Sequence, residues 1–150
     1  MYFVDRNKII ITLKHLDEIL NLLEKSNEWL DNDITTLALQ RIGHNTVESL
    51  MDVGNLIIDG FIMRDPGSYD DIIDILVDEK VITKEMEQPL KEVVALRKMI
   101  VRDFVQVDNE QLLKGLKDNL AVLKTFSGHV LNYLENELGP VSAFLPENQE

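Results

Sequence analysis

The apolar residues of this chain recur every three or four positions almost throughout, and that spacing restricts the fold more than any other feature. Ile9, Leu13, Leu16, Leu20 and Leu23 step by four and three, which lines them along one side of a helix over 5–30. A second helix is expected after Asp31-Asn32-Asp33, any of which can cap it, and runs to Phe61. Leu39, Ile42, Leu50, Val53, Ile57 and Phe61 give its apolar side, and Gly43 and Gly54 permit close helix contact. Asp65-Pro66-Gly67 reads as a turn, and Ser68 followed by Asp71 resembles a capping box opening a short helix over 69–79.

Thr83 is placed to cap another turn, and Pro89 suits the first turn of the next helix, which carries Leu90, Val93, Val94, Leu96, Ile100, Val101 and Phe104. Asp108 or Asn109 opens a long final helix with Leu113, Leu116, Leu120, Leu123, Val130, Leu134 and Leu138 on its seam, stopped by Gly139-Pro140. Tyr2 and Trp29 read as packing at helix ends, and 141–150 as a loose tail. The expected architecture is therefore all-α: an antiparallel bundle of four to five helices in one domain over 1–140. No repeat, linker or low-complexity stretch interrupts it.

With 150 residues, 45% of them hydrophobic, the chain can bury the core of one domain. It has no cysteine, which removes disulfides, thiolate metal sites and cysteine nucleophiles and fits a reducing compartment. Met1-Tyr2-Phe3-Val4-Asp5-Arg6 shows no basic stretch followed by an apolar run, so no signal peptide is expected. Nor does any apolar run approach the ~20 residues of a membrane-spanning helix. The expected location is the cytoplasm.

Acidic residues outnumber basic ones by 27 to 15, a net charge of −12, and such a surface repels nucleic acid at long range. Any contact with RNA must come from a local patch. Arg97, Lys98 and Arg102 lie within six residues and form the strongest candidate. A polar stripe on the second helix, Arg41, Asn45, Glu48, Asp52, Asn55 and Asp59, is either a solvent face or the lining of a cleft opposite that patch. His15, His44 and His129 are scattered, with no metal-ligand spacing. No phosphate loop, nucleophile elbow or dinucleotide fingerprint occurs, and no metal or other cofactor is expected.

The segment Ala95-Leu96-Arg97-Lys98-Met99-Ile100-Val101-Arg102-Asp103-Phe104-Val105-Gln106-Val107-Asp108 resembles the signature of the HepT-like ribonuclease toxins of the HEPN superfamily, L-R-N-x-(I/L)-V-H-x-Y-x-x-(I/V)-D. Pro66-Gly67-Ser68-Tyr69-Asp70 is similar to the family's P-x-S-Y-x-(D/E) turn, and the likeness extends over roughly 5–137. The resemblance implies a helical homodimer whose motif cuts RNA without metal. An arginine binds the scissile phosphate and stabilises its developing charge. A histidine moves the proton of the 2′-hydroxyl or of the leaving group. It also implies a minimal nucleotidyltransferase antitoxin that transfers AMP to the motif tyrosine.

Three positions depart from that pattern. Lys98 stands at the usual Asn, Arg102 at the usual His and Phe104 at the usual Tyr, while Arg97 matches the motif arginine. Arginine stays protonated at physiological pH, so Arg102 binds phosphate but accepts no proton. Phe104 has no hydroxyl to modify. The expected site residues are thus Arg97, Lys98 and Arg102 for phosphate, Arg102 and Phe104 at the altered catalytic positions, and Arg41, Glu48 and Asp52 as cleft lining. The implied function is a toxin–antitoxin relative of RNA endonucleases with weak or lost activity; the alternative is a binding module for RNA, a nucleotide or a protein using the same dimeric cleft. On a rigid α-helix, residues five apart diverge by about 140°. Fraying or a second chain is therefore expected to bring Arg97 and Arg102 to one phosphate.

Overall fold

The computed structural model describes residues 3–139. Tyr2, Pro140 and the tail over 141–150 lie outside them. Six α-helices follow one another: α1 (Arg6–Glu24), α2 (Asp33–Gly60), α3 (Tyr69–Asp78), α4 (Glu87–Ala95), α5 (Asn109–Asp118) and α6 (Leu120–Leu138). Short 3₁₀ turns occupy Lys84–Met86 and Phe104–Gln106, and a π-turn occupies Lys98–Arg102. Among the described residues there is no strand, and no helix is long and apolar enough to cross a membrane.

The α1 seam is buried in full, Ile9, Leu13, Leu16, Leu20 and Leu23 alike. The helix ends at Glu24, six residues before the expected Leu30. Buried Trp29 folds back under that end and donates its indole N–H to the Leu23 carbonyl at 3.1 Å, occupying a group a continuing helix would need. α2 opens with the Asn32–Thr35 capping box and closes with Ile62 in the left-handed region, φ 54°, and a Met63 N–H bond to the Ile58 carbonyl.

α2 is the central helix, packed against α1, α3, α4, α5 and the π-turn. α6 runs antiparallel to α1: Lys124 pairs with Glu24, and the Ser127 hydroxyl donates to Asp17 at 2.9 Å. The single final helix expected over 109–138 is broken in two at Asn119. Its buried amide donates to the Gly115 carbonyl at 2.8 Å, and its backbone leaves helical geometry there. That break raises the count among the described residues from the five expected to six. Thr83 precedes its 3₁₀ turn without a side-chain capping bond.

α3 is fastened to the end of α2 by a compact polar clasp. Ser68 caps it by accepting from the Asp71 N–H at 3.1 Å. Asp71 does not return that bond as a capping box would. Its carboxylate instead accepts from Gly67 N–H at 2.8 Å and from both terminal nitrogens of Arg64 at 2.7 and 2.8 Å. The Arg64 guanidinium first, and the Gly67 N–H second, hold the Asp71 carboxyl down from the usual 3.8 to about 2.

Two consequences can be measured. A Cβ on Gly54 would sit 2.5 Å from the branched methyl Cγ2 of Ile72, which cannot swing away. Gly54→Ala should therefore cost about 1–3 kcal/mol in urea unfolding. Gly43→Ala should cost less, because its nearest neighbour is the flexible end of Leu112. Because the folded value of Asp71 is depressed, its contribution to stability is complete above about pH 4 and is lost as pH falls towards 2. Over that window Asp71→Asn should show a shallower loss of stability than the wild type. Parallel acid limbs would show that the clasp contributes nothing.

Candidate functional site

The segment after α4 does not continue as the expected α-helix to Phe104. After Ala95 the chain loosens into the π-turn, closed by the Asp103 N–H donating to the Lys98 carbonyl at 3.1 Å. Ile100 is its buried residue and reaches α2 at Gly43, where an added Cβ would lie 3.3 Å from the Ile100 Cδ1. That anchor holds the turn against the bundle. A 3₁₀ turn follows, and the Asp108 N–H then meets the Met99 sulfur at 3.3 Å before Asp108 caps α5.

A π-turn closes its hydrogen bond between residues five apart, so such residues return to one side of the helix. Arg97 and Arg102 accordingly line the same cleft, of about 420 Å³. The helix gives way at the motif, as the fraying alternative expected, and one chain is enough to bring the two residues to one cleft. Lys98 lines the cleft as well, Val94 and Ala95 give it an apolar floor, and Ser68, Tyr69 and Asp70 at the start of α3 form the facing wall.

Arg97 is held from two sides. Its Nε–H donates to Glu48 of α2 at 3.0 Å, and its guanidinium carbon lies 4.7 Å from the centroid of the Tyr69 ring. Nη1 and Nη2 make no hydrogen bond or ion pair among the described residues. A guanidinium braced through Nε, with both terminal nitrogens free, is prepared for two parallel bonds to one phosphate.

Of the stripe on α2, Glu48 touches the site through Arg97, whereas Arg41 and Asp52 are exposed and form no ion pair among the described residues. Phe104 does not line the cleft. It stands 67% exposed on the 3₁₀ turn beyond it, next to Val105 at 82%. Arg97, Val101 and Phe104, which a continuous α-helix would set on one face, are parted because that helix gives way to the π-turn and then the 3₁₀ turn. No histidine lines the cleft. His44 bonds to Asn45 at 3.3 Å, and Asn45 reaches His15 of α1 at 3.1 Å. Among the described residues no cluster of His, Asp and Glu is arranged to hold a metal ion.

Residues 9–130 match the family described as Ribonuclease HepT-like. The chain belongs to that family. This HepT-like chain is 50% identical over 144 residues to the candidate RNase YutE of Bacillus subtilis (strain 168), covering 96% of this chain and 99% of that one. The solved structure of YutE, described as a cytosolic protein of unknown function, superposes with a TM-score of 0.92 at 50% identity over 96% of this chain and 100% of that chain. A toxin–antitoxin crystal structure with AMP-PNP shares the fold, with a TM-score of 0.66 at 18% identity over 82% of this chain and 95% of that one.

Tyr69 lines the cleft and carries the Arg97 guanidinium, a role that sequence reasoning did not assign. Its one signal was its place in the Pro66-Gly67-Ser68-Tyr69 turn. The Glu48–Arg97 contact is open to direct measurement. Glu48→Ala should lower stability by less than ~1 kcal/mol, as for other partly exposed pairs. It should also abolish the exchange protection of the Arg97 Nε–H seen by nitrogen NMR. Unchanged protection would mean that Glu48 does not hold the guanidinium in solution.

Proposed function

We propose that this HepT-like protein belongs to a toxin–antitoxin system, that its cleft binds RNA phosphate, and that its endonuclease chemistry is weak or lost. The observation that carries this reading is the place of Arg102: it shares a cleft with Arg97, at the motif position where the family has histidine. Cleavage by this family's route needs a base to take the 2′-hydroxyl proton as that oxygen attacks phosphorus. It also needs an acid to protonate the departing 5′-oxygen. Arg97 supplies charge for the phosphate, and its free Nη1 and Nη2 suit the developing negative oxygens. Arg102 adds a second fixed charge but accepts no proton.

The functional unit in this reading is a homodimer in the cytoplasm. Phe104 and Val105 support it, because two large apolar side chains stand exposed on the turn that follows Arg102 and are suited to burial against a second copy. A minimal nucleotidyltransferase antitoxin remains the expected partner of the system, although Phe104 offers no hydroxyl to receive AMP. The same geometry also supports a binding module that grips RNA without cutting it, since nothing in the loss of the histidine weakens the charge of the cleft.

The test is incubation of purified protein with labelled structured RNA in EDTA, beside Arg97→Ala and the double variant Arg102→His, Phe104→Tyr. Acid–base catalysis contributes ~10²–10⁴-fold, and the double variant should cut faster than the wild type by that order. A wild type that cuts as fast as the double variant, and fails with Arg97→Ala, would overturn the claim of lost chemistry.

A further inference from the structure

Phosphate binding alone leaves half of the cleft unexplained. Tyr69 opens α3 and is 49% exposed although its ring already carries the Arg97 guanidinium. Beside it the cleft floor is Val94 and Ala95. The exposed remainder of the Tyr69 ring and an aliphatic floor offer nothing to a phosphate, but they favour a flat, weakly hydrated group such as a nucleobase.

The charges give the cleft a direction. Arg97, Lys98 and Arg102 come from the α4 and π-turn side, and Asp70 from the α3 side. A phosphate is drawn to the first side and repelled from the second, which leaves Tyr69 and the apolar floor for the attached base. The volume, about 420 Å³, falls within the ~300–1,000 Å³ of pockets that hold small molecules, and a duplex cannot enter it. Duplex binding also draws on a broad basic face, whereas this chain carries a net charge of −12. Bases in a duplex are stacked on one another and out of reach of Tyr69.

We infer that Tyr69 is a base-stacking residue and that the cleft takes an unpaired nucleotide of single-stranded RNA, its phosphate on Arg97 and its base against the Tyr69 ring. This rests on the reading of the cleft as an RNA site. It excludes the simpler role in which Tyr69 only props Arg97.

Fluorescence anisotropy of the full chain with a labelled single-stranded oligoribonucleotide, and with the same strand in a duplex, tests it across a salt series. The variants are Tyr69→Phe, Tyr69→Leu and Arg97→Ala. The single strand should bind more tightly than the duplex. Tyr69→Phe should bind like the wild type. Tyr69→Leu should weaken binding roughly 5- to 100-fold with an unchanged salt slope, because it removes base stacking and leaves the phosphate's partners in place. Arg97→Ala should lower the salt slope by about 0.7 for each phosphate that is no longer neutralised. If Tyr69→Leu also lowers the slope, the tyrosine acts only through Arg97 and the inference fails. If Tyr69→Leu binds like the wild type, or the duplex binds as well as the single strand, the inference fails while the RNA reading stands. If wild type and Arg97→Ala are equally without RNA affinity, the RNA reading itself falls.

Discussion

Close approach to α2 is the constraint on which the rest of this structure depends. At Gly54 the helix carries no side chain, and α3 comes near enough that a Cβ there would overlap Ile72. At Gly43 it again carries none, and both Ile100 of the π-turn and Leu112 of α5 press in. This packing fixes α3 and the π-turn against one helix. It therefore fixes the two walls of the cleft relative to each other. Glu48, five residues on from Gly43 in α2, then meets Arg97. The site is held in register by core packing rather than by its own polar bonds, of which the Glu48 contact is worth less than ~1 kcal/mol to the fold.

That arrangement accounts for how an acidic chain can gather positive charge in one place. The net charge of −12 is a property of the whole surface, whereas Arg97, Lys98 and Arg102 are gathered in one concavity. Only the Nε of Arg97 is occupied by a carboxylate, so the guanidinium is oriented without being consumed. In the proposed reading, Arg102 at the motif histidine position leaves such a site with more charge and less chemistry. On that reading the absence of a hydroxyl at Phe104 is coherent, since a protein that lacked the proton-transfer group would have no need of a modification that silences it.

The helices themselves were legible because burial imposes a period. Leu13, Leu16 and Leu20, or Leu123, Val130 and Leu134, sit where a seam must sit, and all are buried. The ends and breaks were less so, because each is decided by a side chain bonding to the backbone, which the spacing of apolar residues does not report. Trp29 reaches back to Leu23, and Asn119 takes the carbonyl of Gly115. The π-turn was hidden as well: Ile100 reads as one more apolar helix position until α2 is packed against it. Arg97 and Arg102 could be found from the motif, and the stripe containing Glu48 from its spacing. Tyr69 could not, because only the folded chain brings the start of α3 to Arg97.

The central claim is that the π-turn makes Arg97 and Arg102 act on one anion. A double-mutant cycle on RNA affinity tests it most directly, using Arg97→Ala, Arg102→Ala and both together at fixed salt. Groups that share a partner couple, and groups that act apart are additive. The account predicts that the double variant departs from the product of the two single losses. A double variant that loses affinity by that product, as for two independent sites, would contradict it.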